Sequence, residues 1–380
     1  MSSQLDEIVV VAGETSGDLH GSSVVREIKR LRPGTTFWGI GGDLMEKAGV
    51  TLLEHVGKMA VMGFTEIIGR YHFLQTKFRE VVQVARERPP ARAILIDYPG
   101  FNLALAKKFR ALNIPVTYFI PPQLWAWREG RVKILKECVD QILCIFPFEE
   151  GWYSDRGVTA TFVGHPLLDQ GVPDVTREEF CRKHGLEADL PMVGLMPGSR
   201  QQEVNKHLPA LMETVSQLMK RGYRIQSIVG RAPEVSTAGL DKWAVAVEDE
   251  IPQLALRYSD VGVVASGTAS LEAALYGTPS VVVYRMSPVS WWLGRRMARV
   301  HFVSMTNLVA GKEVLPELLQ RNLTGENIAT VLGQWLDSPD ERERLSGELK
   351  SVRKKLGSPG AARRAARLIV ERLDRGGLPE

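Results

Sequence analysis

Apolar residues in this chain fall in short unbroken runs, each followed by a small-residue turn and then a helical stretch. Glu7 to Ala12 (EIVVVA) predicts a strand, Gly13 to Gly21 a glycine-punctuated loop, and Ser22 to Arg32 a helix. Thr35 to Ile40 reads as the next strand, followed by Gly41-Gly42 and a helix over Asp43 to Ala48. A long amphipathic pattern over Tyr71 to Arg88 predicts a helix that stops at Pro89-Pro90. Strands follow at 93–96, 116–120, 141–145 and 159–163, separated by helices at 103–112, 131–139 and 148–156. Strands alternating with helices predict an α/β fold with a doubly wound parallel sheet.

The stretch Gly164 to Pro191 is rich in Pro, Gly and charge and reads as a hinge carrying one short helix near 177–184. A second α/β series runs from Met192 to about Leu336. Ser338 and Glu341 are spaced as a capping box, and a last helix begins at Ser358-Pro359. The expected organisation is a first unit over 1–168, a hinge over 169–190, a second unit over 191–345 and terminal helices over 346–380. At 380 residues the chain exceeds a usual single core.

Two segments of the second unit point to a nucleotide. Val261 to Val264 reads as a buried strand, Ser266-Gly267-Thr268 as a sharp turn, and Ala269 to Tyr276 as a helix with Glu272 one turn in. Such a turn aims backbone N–H groups and a helix dipole at an anion, and the carboxylate can accept a vicinal diol. Met192 to Met196 is followed in the same way by Pro197-Gly198-Ser199-Arg200, where the arginine places a cationic fork beside the turn. Each segment taken alone also fits an ordinary capped turn.

In an α/β sheet ligand groups stand at the carboxyl ends of strands. Asp97 ends a strand and precedes Tyr98-Pro99-Gly100, so it is a candidate catalytic group or a turn cap. Glu14, Ser16, Asp18 and His20 fall in the first glycine-rich loop, which lacks the GxGxxG spacing. No Asp-x-Asp pair and no Walker lysine loop occur, and the histidines are scattered without metal-ligand spacing. A diphosphate site without metal would have to rely on Arg200 and helix N-termini.

Composition narrows the class. The apolar and charged fractions are those of a globular protein, and a net charge of +4 is too weak and too dispersed to argue for nucleic acid. Cys138, Cys144 and Cys181 lack disulfide or metal spacing, which suits a reducing compartment. The chain enters a strand at once, without a signal-peptide layout, and no apolar run reaches membrane-spanning length. A cytoplasmic protein is expected. One segment, SWWLGRRMARV at 290–300, would as a helix bring Trp292, Arg295, Arg296 and Arg299 to one face beside Trp291. That pattern suits an anionic bilayer surface, or a core stripe with a solvated basic face. The stretch Met59 to Phe64 is likewise an acyl-chain contact or core.

Taken together, these segments resemble the lipid-A-disaccharide synthase family. The resemblance is carried by VAGETSGDLHG at 11–21, GIGGDLMEKAGV at 39–50, IDYPGFNL at 96–103, PPQLWAWREGRVKIL at 121–135, LMPGSRQQEV at 195–204, ASGTASLEAAL at 265–275 and SMTNLVAGKEVLPELLQ at 304–320. It implies a GT-B fold, two Rossmann-like domains facing across a cleft, with the C-terminal helices returning to the first. The implied reaction is an inverting, metal-independent transfer that needs no cofactor. It joins UDP-2,3-diacylglucosamine to 2,3-diacylglucosamine 1-phosphate (lipid X), releasing UDP, at the cytoplasmic face of the inner membrane; a homodimer is compatible with it.

Carried onto this chain, the resemblance assigns Gly198, Ser199, Arg200, Ser266, Gly267, Thr268 and Glu272 to the UDP half, with Asn307 as wall of the site. It assigns Glu14, Ser16, Gly17, Asp18 and His20 to the acceptor side, with Met62 and Phe64 facing lipid. Many members carry a second Asp where this chain has Gly100. Asp97 is then the expected base, with Glu14 and His20 as the other candidates. Two rivals remain: another GT-B enzyme on a UDP-sugar, such as a UDP-N-acetylglucosamine epimerase or a peptidoglycan-precursor transferase, and a non-catalytic nucleotide-binding peripheral membrane protein.

Overall fold

The computed structural model describes all residues except 1–5, 61–66, 172, 234, 237–244, 288–290, 293–295, 297–299 and 376–380. The chain divides into two compact units, 1–170 with 357–380, and 171–356.

The first unit is built on β1 (Glu7–Ala12), β2 (Thr36–Gly41), β3 (Val50–His55), β4 (Arg92–Ile96), β5 (Val116–Phe119), β6 (Gln141–Cys144) and β7 (Ala160–Phe162). All pair in parallel, in the order β3-β2-β1-β4-β5-β6-β7. Helices α1 (Thr15–Leu31), α2 (Asp43–Lys47), α3 (Val56–Ala60), α4 (Ile67–Glu87), α5 (Pro99–Ala111), α6 (Val132–Cys138) and α7 (Pro147–Ser154) form the crossovers. Both faces of the central strands are covered, so β1 and β4 are apolar at nearly every position and wholly buried there. Val9, Val11, Trp38, Leu95, Phe109 and Tyr118 belong to one core layer of this unit. The helix Ala361–Asp374 packs along α1 and buries Ala361, Ala365, Ala366 and Ile369.

Helix α1 starts at Thr15, where the residue pattern predicts a loop as far as Gly21. A Cβ on Gly21 would come within 2.7 Å of Met45 Sδ and 3.0 Å of Ile96 Cδ1. Close helix-to-strand packing, which only glycine permits here, overrides the low helix propensity of the two glycines in α1. Strand β3 was not foreseen either: it is an edge strand with a mixed polar pattern, and its Glu54 is buried against Lys58 and Lys77.

The second unit holds β8 (Met192–Met196), β9 (Gln226–Gly230), β10 (Ala246–Glu248), β11 (Val261–Ala265), β12 (Ser280–Tyr284) and β13 (Glu317–Leu319), again parallel, in the order β10-β9-β8-β11-β12-β13. Helices α8 (Arg177–His184), α9 (Gln201–Lys220), α10 (Leu254–Arg257) and α11 (Thr268–Tyr276) precede a further set from 305 to 355. The expected hinge at 169–190 therefore needs correcting, because 171–190 packs with this unit. Arg177 donates to the carbonyls of Ala188 (2.9 Å), Leu190 (3.0 Å) and Tyr258 (2.6 Å) and pairs with Asp260 at 3.0 Å. The helix Pro339–Lys355 also stays in this unit, so the return to the first begins at Gly357 rather than at 346.

Candidate active site

Each sheet reverses its strand order once, between β1 and β4 in the first unit and between β8 and β11 in the second. Ligands of open α/β sheets bind outside the carboxyl ends of the strands at such switch points. Four of the turns singled out from the sequence stand there: Gly13-Glu14 after β1, Asp97-Tyr98 after β4, Pro197 to Arg200 after β8, and Ser266 to Thr268 after β11.

In the first unit Asp97 and Tyr98 both adopt left-handed backbone, with φ of 47° and 49°. That conformation is strained for residues with a Cβ and is kept only where its surroundings hold it. The Asp97 carbonyl accepts hydrogen bonds from Tyr118 Oη at 2.7 Å and Asn102 Nδ2 at 2.8 Å, and its N–H donates to the Phe119 carbonyl at 3.2 Å. Tyr118 and Asn102 are both wholly buried. A Cβ on Gly13 would lie 2.2 Å from the Tyr98 ring, so glycine alone lets the β1 turn pass this closely. Glu14, the N-cap of α1, is thereby near enough for its charge to act on Asp97. Burial first, and Glu14 second, raise the Asp97 carboxyl to about 6, against an opposing bond from the Tyr98 backbone. A carboxylate that titrates near neutrality is suited to general-base work.

The other residues of this stretch divide by role. Ser16 is exposed and Gly17 buried on the first turn of α1, not in a loop. Asp18 is turned inward: Oδ1 accepts from the N–H groups of Gly42 (2.7 Å) and Met45 (2.9 Å), Oδ2 from Leu44 (3.1 Å). It thus caps α2, a structural task that the motif did not reveal. His20 is held neutral, because burial lowers it to about 4 despite the nearby Asp169. Its proton affinity at neutral pH is well below that of Asp97. Met62 and Phe64 lie outside the described residues, while Met59 of that stretch is a buried core residue.

In the second unit β8 and β11 are neighbours, with Met196 opposite Val264, so their turns lie side by side. Gly198 and Gly267 have φ of 130° and 133°, which lets each chain swing into a helix start. Neither α9 nor α11 has a side-chain cap from its N-cap residue, Arg200 or Gly267. First-turn N–H groups of helices that start from two neighbouring strands, with the exposed Arg200, Ser199 and Thr268 beside them, are the kind of groups that can receive an anion. Glu272 is half-buried on α11, no hydrogen bond or ion pair reaches it among the described residues, and burial alone raises it to about 7. Ser266 is committed to the Val303 carbonyl through Oγ at 2.9 Å.

Asn307 differs from expectation. It is wholly buried, donates to the Leu315 carbonyl (2.8 Å) and Glu317 (3.0 Å), and accepts from the Val314 and Leu315 N–H groups. Both polar atoms of its side chain are used within the 303–317 segment, which they hold together. His207 was missed altogether. Its Nδ1 bonds the Pro197 carbonyl at 2.8 Å and its Nε2 the Arg285 N–H at 3.0 Å, tying the Pro197–Arg200 turn to the end of β12. A lone histidine inside a helix carries no sequence signal of this kind.

Of the tryptophan–arginine segment, Trp291 is half-buried and Trp292 is 59% exposed, with the Arg296 guanidinium 5.3 Å from its ring centre. Arg295 and Arg299 lie outside the described residues. No helix among the described residues is long and apolar enough to cross a membrane.

A family model for lipid-A-disaccharide synthetase matches residues 8–367. The chain belongs to the lipid-A-disaccharide synthase family. A lipid-A-disaccharide synthase of Myxococcus xanthus (strain DK1622) is 42% identical over 377 residues, covering 97% of this chain and 98% of the relative. Lipid-A-disaccharide synthases are glycosyltransferases, and the present chain is one by membership. Among solved structures, the UDP-GlcNAc 2-epimerase from Neisseria meningitidis superposes with a TM-score of 0.63 at 11% identity, covering 97% of this chain and 100% of that one. The calicheamicin glycosyltransferase CalG4 gives 0.61 at 15%, covering 98% and 99%. Identities this low speak for the shared GT-B fold alone.

Proposed function

We propose that this chain transfers the 2,3-diacylglucosaminyl group of UDP-2,3-diacylglucosamine to the 6-hydroxyl of lipid X, with Asp97 as the base and the turns after β8 and β11 as the UDP site. The supporting observation is that the strained Asp97 and the two open helix N-termini each occupy the switch point of a parallel sheet. Asp97 takes the proton from the acceptor hydroxyl as its oxygen attacks C1 of the donor sugar. The bond from C1 to the diphosphate breaks, its electron pair leaves on UDP, and attack from the opposite face inverts the anomeric centre. Arg200 and the first-turn amides of α9 and α11 stabilise the charge that develops on the leaving group, so no metal is required. Glu272 accepts the ribose diol once ionised.

Both substrates carry acyl chains, so the reading includes peripheral attachment at the cytoplasmic face of the inner membrane. The exposed Trp292 with Arg296 supports such a contact. The deciding experiment measures UDP release from UDP-2,3-diacylglucosamine with and without lipid X. Release that depends on lipid X is expected. Release without it, or turnover of UDP-N-acetylglucosamine alone, would favour an epimerase-like enzyme instead.

A further inference from the structure

The carboxyl edge of the first sheet carries a cavity that the chemistry above does not use. It measures about 220 Å³ and opens between α1, the end of β5 and the start of the helix Ala361–Asp374. Leu19, Phe119 and Pro166 give it apolar walls, and His20, Ser23 and Arg26 line it with polar groups. The Phe119 carbonyl accepts the Asp97 N–H at 3.2 Å, so the cavity adjoins the strained turn that carries the proposed base.

We propose that this cavity seats the phosphorylated sugar head of the acceptor, with Arg26 on the phosphate and His20 and Ser23 on ring hydroxyls. The assignment rests on the transfer reaction proposed above. A pyranose is amphipathic, and a few convergent polar groups on an apolar surface are what fix such a ligand. The neutral His20 ring offers one donor and one acceptor, as a hydroxyl partner should. Asp169, the only carboxylate in the lining, is already occupied: it accepts from the N–H groups of Gly360, Ala361 (3.3 Å) and Ala362 (3.3 Å). The helix N-terminus offsets its charge, which leaves the Arg26 guanidinium to set the sign of the wall. Arg26 is exposed, donates to Ser23 Oγ at 3.2 Å and offers the lining a planar fork suited to phosphate. The volume admits a sugar ring but not acyl chains, so these must leave through the mouth.

The test combines kinetics with direct binding of glucosamine 1-phosphate, the head without its chains. Arg26→Gln should raise the KM for lipid X about tenfold or more and leave the KM for the UDP-sugar unchanged. Ser23→Phe, which fills the cavity, should abolish glucosamine 1-phosphate binding in calorimetry while UDP affinity and the melting temperature hold. An unchanged lipid X KM in both variants, in an enzyme that makes disaccharide, would overturn the assignment and leave the transfer reaction standing. If the wild-type chain releases no UDP on addition of lipid X, the transfer reading fails instead. Glucosamine 1-phosphate binding lost in Ser23→Phe would then still support the cavity, and absence of binding to wild type would sink it.

Discussion

Replacing Asp97 by Asn should slow the reaction and stabilise the fold at the same time. Burial and Glu14 raise this carboxyl from 3.8 to about 6, so the folded chain binds the proton more tightly than the unfolded one. The side chain therefore costs nothing well below pH 4, and stability is lost as the pH rises through 6. At about 1.4 kcal/mol for each tenfold change in proton affinity, the full cost at pH 8 is about 3 kcal/mol. Asn has no charge to dehydrate and tolerates left-handed backbone better than most residues, so the φ of 47° can persist. The variant should melt higher at pH 8, by about 2–4 °C for each kcal/mol recovered in a unit of this size. That gain should shrink as the pH falls from 6 and be gone by about pH 3. In the lipid X-dependent UDP-release assay the same change should cost about 10²–10⁴-fold in rate. Wild-type kcat/KM should climb with pH and level off above about 6. Equal melting at pH 8, or an undiminished gain at about pH 3, would refute the dehydrated carboxylate. Near-normal turnover in Asp97→Asn with collapse in a parallel Glu14→Gln or His20→Gln would move the base to the start of α1.

Three further outcomes are expected. Glu272→Ala should weaken UDP binding by about 1–3 kcal/mol in titration calorimetry. Because the carboxyl must be ionised to accept the diol, wild-type affinity should rise with pH through about 7, and a flat profile with unchanged affinity in the variant would remove Glu272 from the site. Activity should survive exhaustive chelation; loss that magnesium or manganese restores would contradict phosphate stabilisation by Arg200 and helix N-termini. Binding to vesicles containing anionic lipid should fall with rising salt and with Trp292→Ala or Arg296→Gln, UDP affinity being unchanged in both variants; insensitivity to all three would make the segment ordinary surface.

Much of the frame was legible because covered parallel strands are apolar throughout and end in small-residue turns. That rule located β1, β4, β8 and β11, and with them the turns that carry Asp97 and Arg200 and the helix start that leads to Glu272. It failed at β3, whose edge position needs no such run, and at the start of α1, where glycines that read as a loop instead allow close packing on Ile96 and Met45. Side-chain direction was not legible at all. Asp18 and Asn307 stand in motif-like segments, yet both are spent on backbone amides, because local spacing says nothing about which neighbour a polar group meets after folding. Tyr118 reaches Asp97 from the neighbouring strand, and His207 ties the Pro197 turn to the Arg285 N–H, 78 residues away, so neither role shows in the local pattern around the residue.

The first unit is assembled from two pieces of chain, 1–170 and 357–380, and the second is threaded between them. During synthesis the apolar side of α1 that receives Ala365, Ala366 and Ile369 must wait for the whole intervening unit to be translated, a delay of roughly 10–40 s at ordinary elongation rates. The nascent first unit is therefore an unfinished fold with an open helix face, exposed to proteases, to chaperones and to the matching helix of a neighbouring ribosome's product. The second unit begins and ends within one continuous stretch and has no such interval. A truncation before Ala361 would make that transient condition permanent, leaving the second unit intact and the first one incomplete.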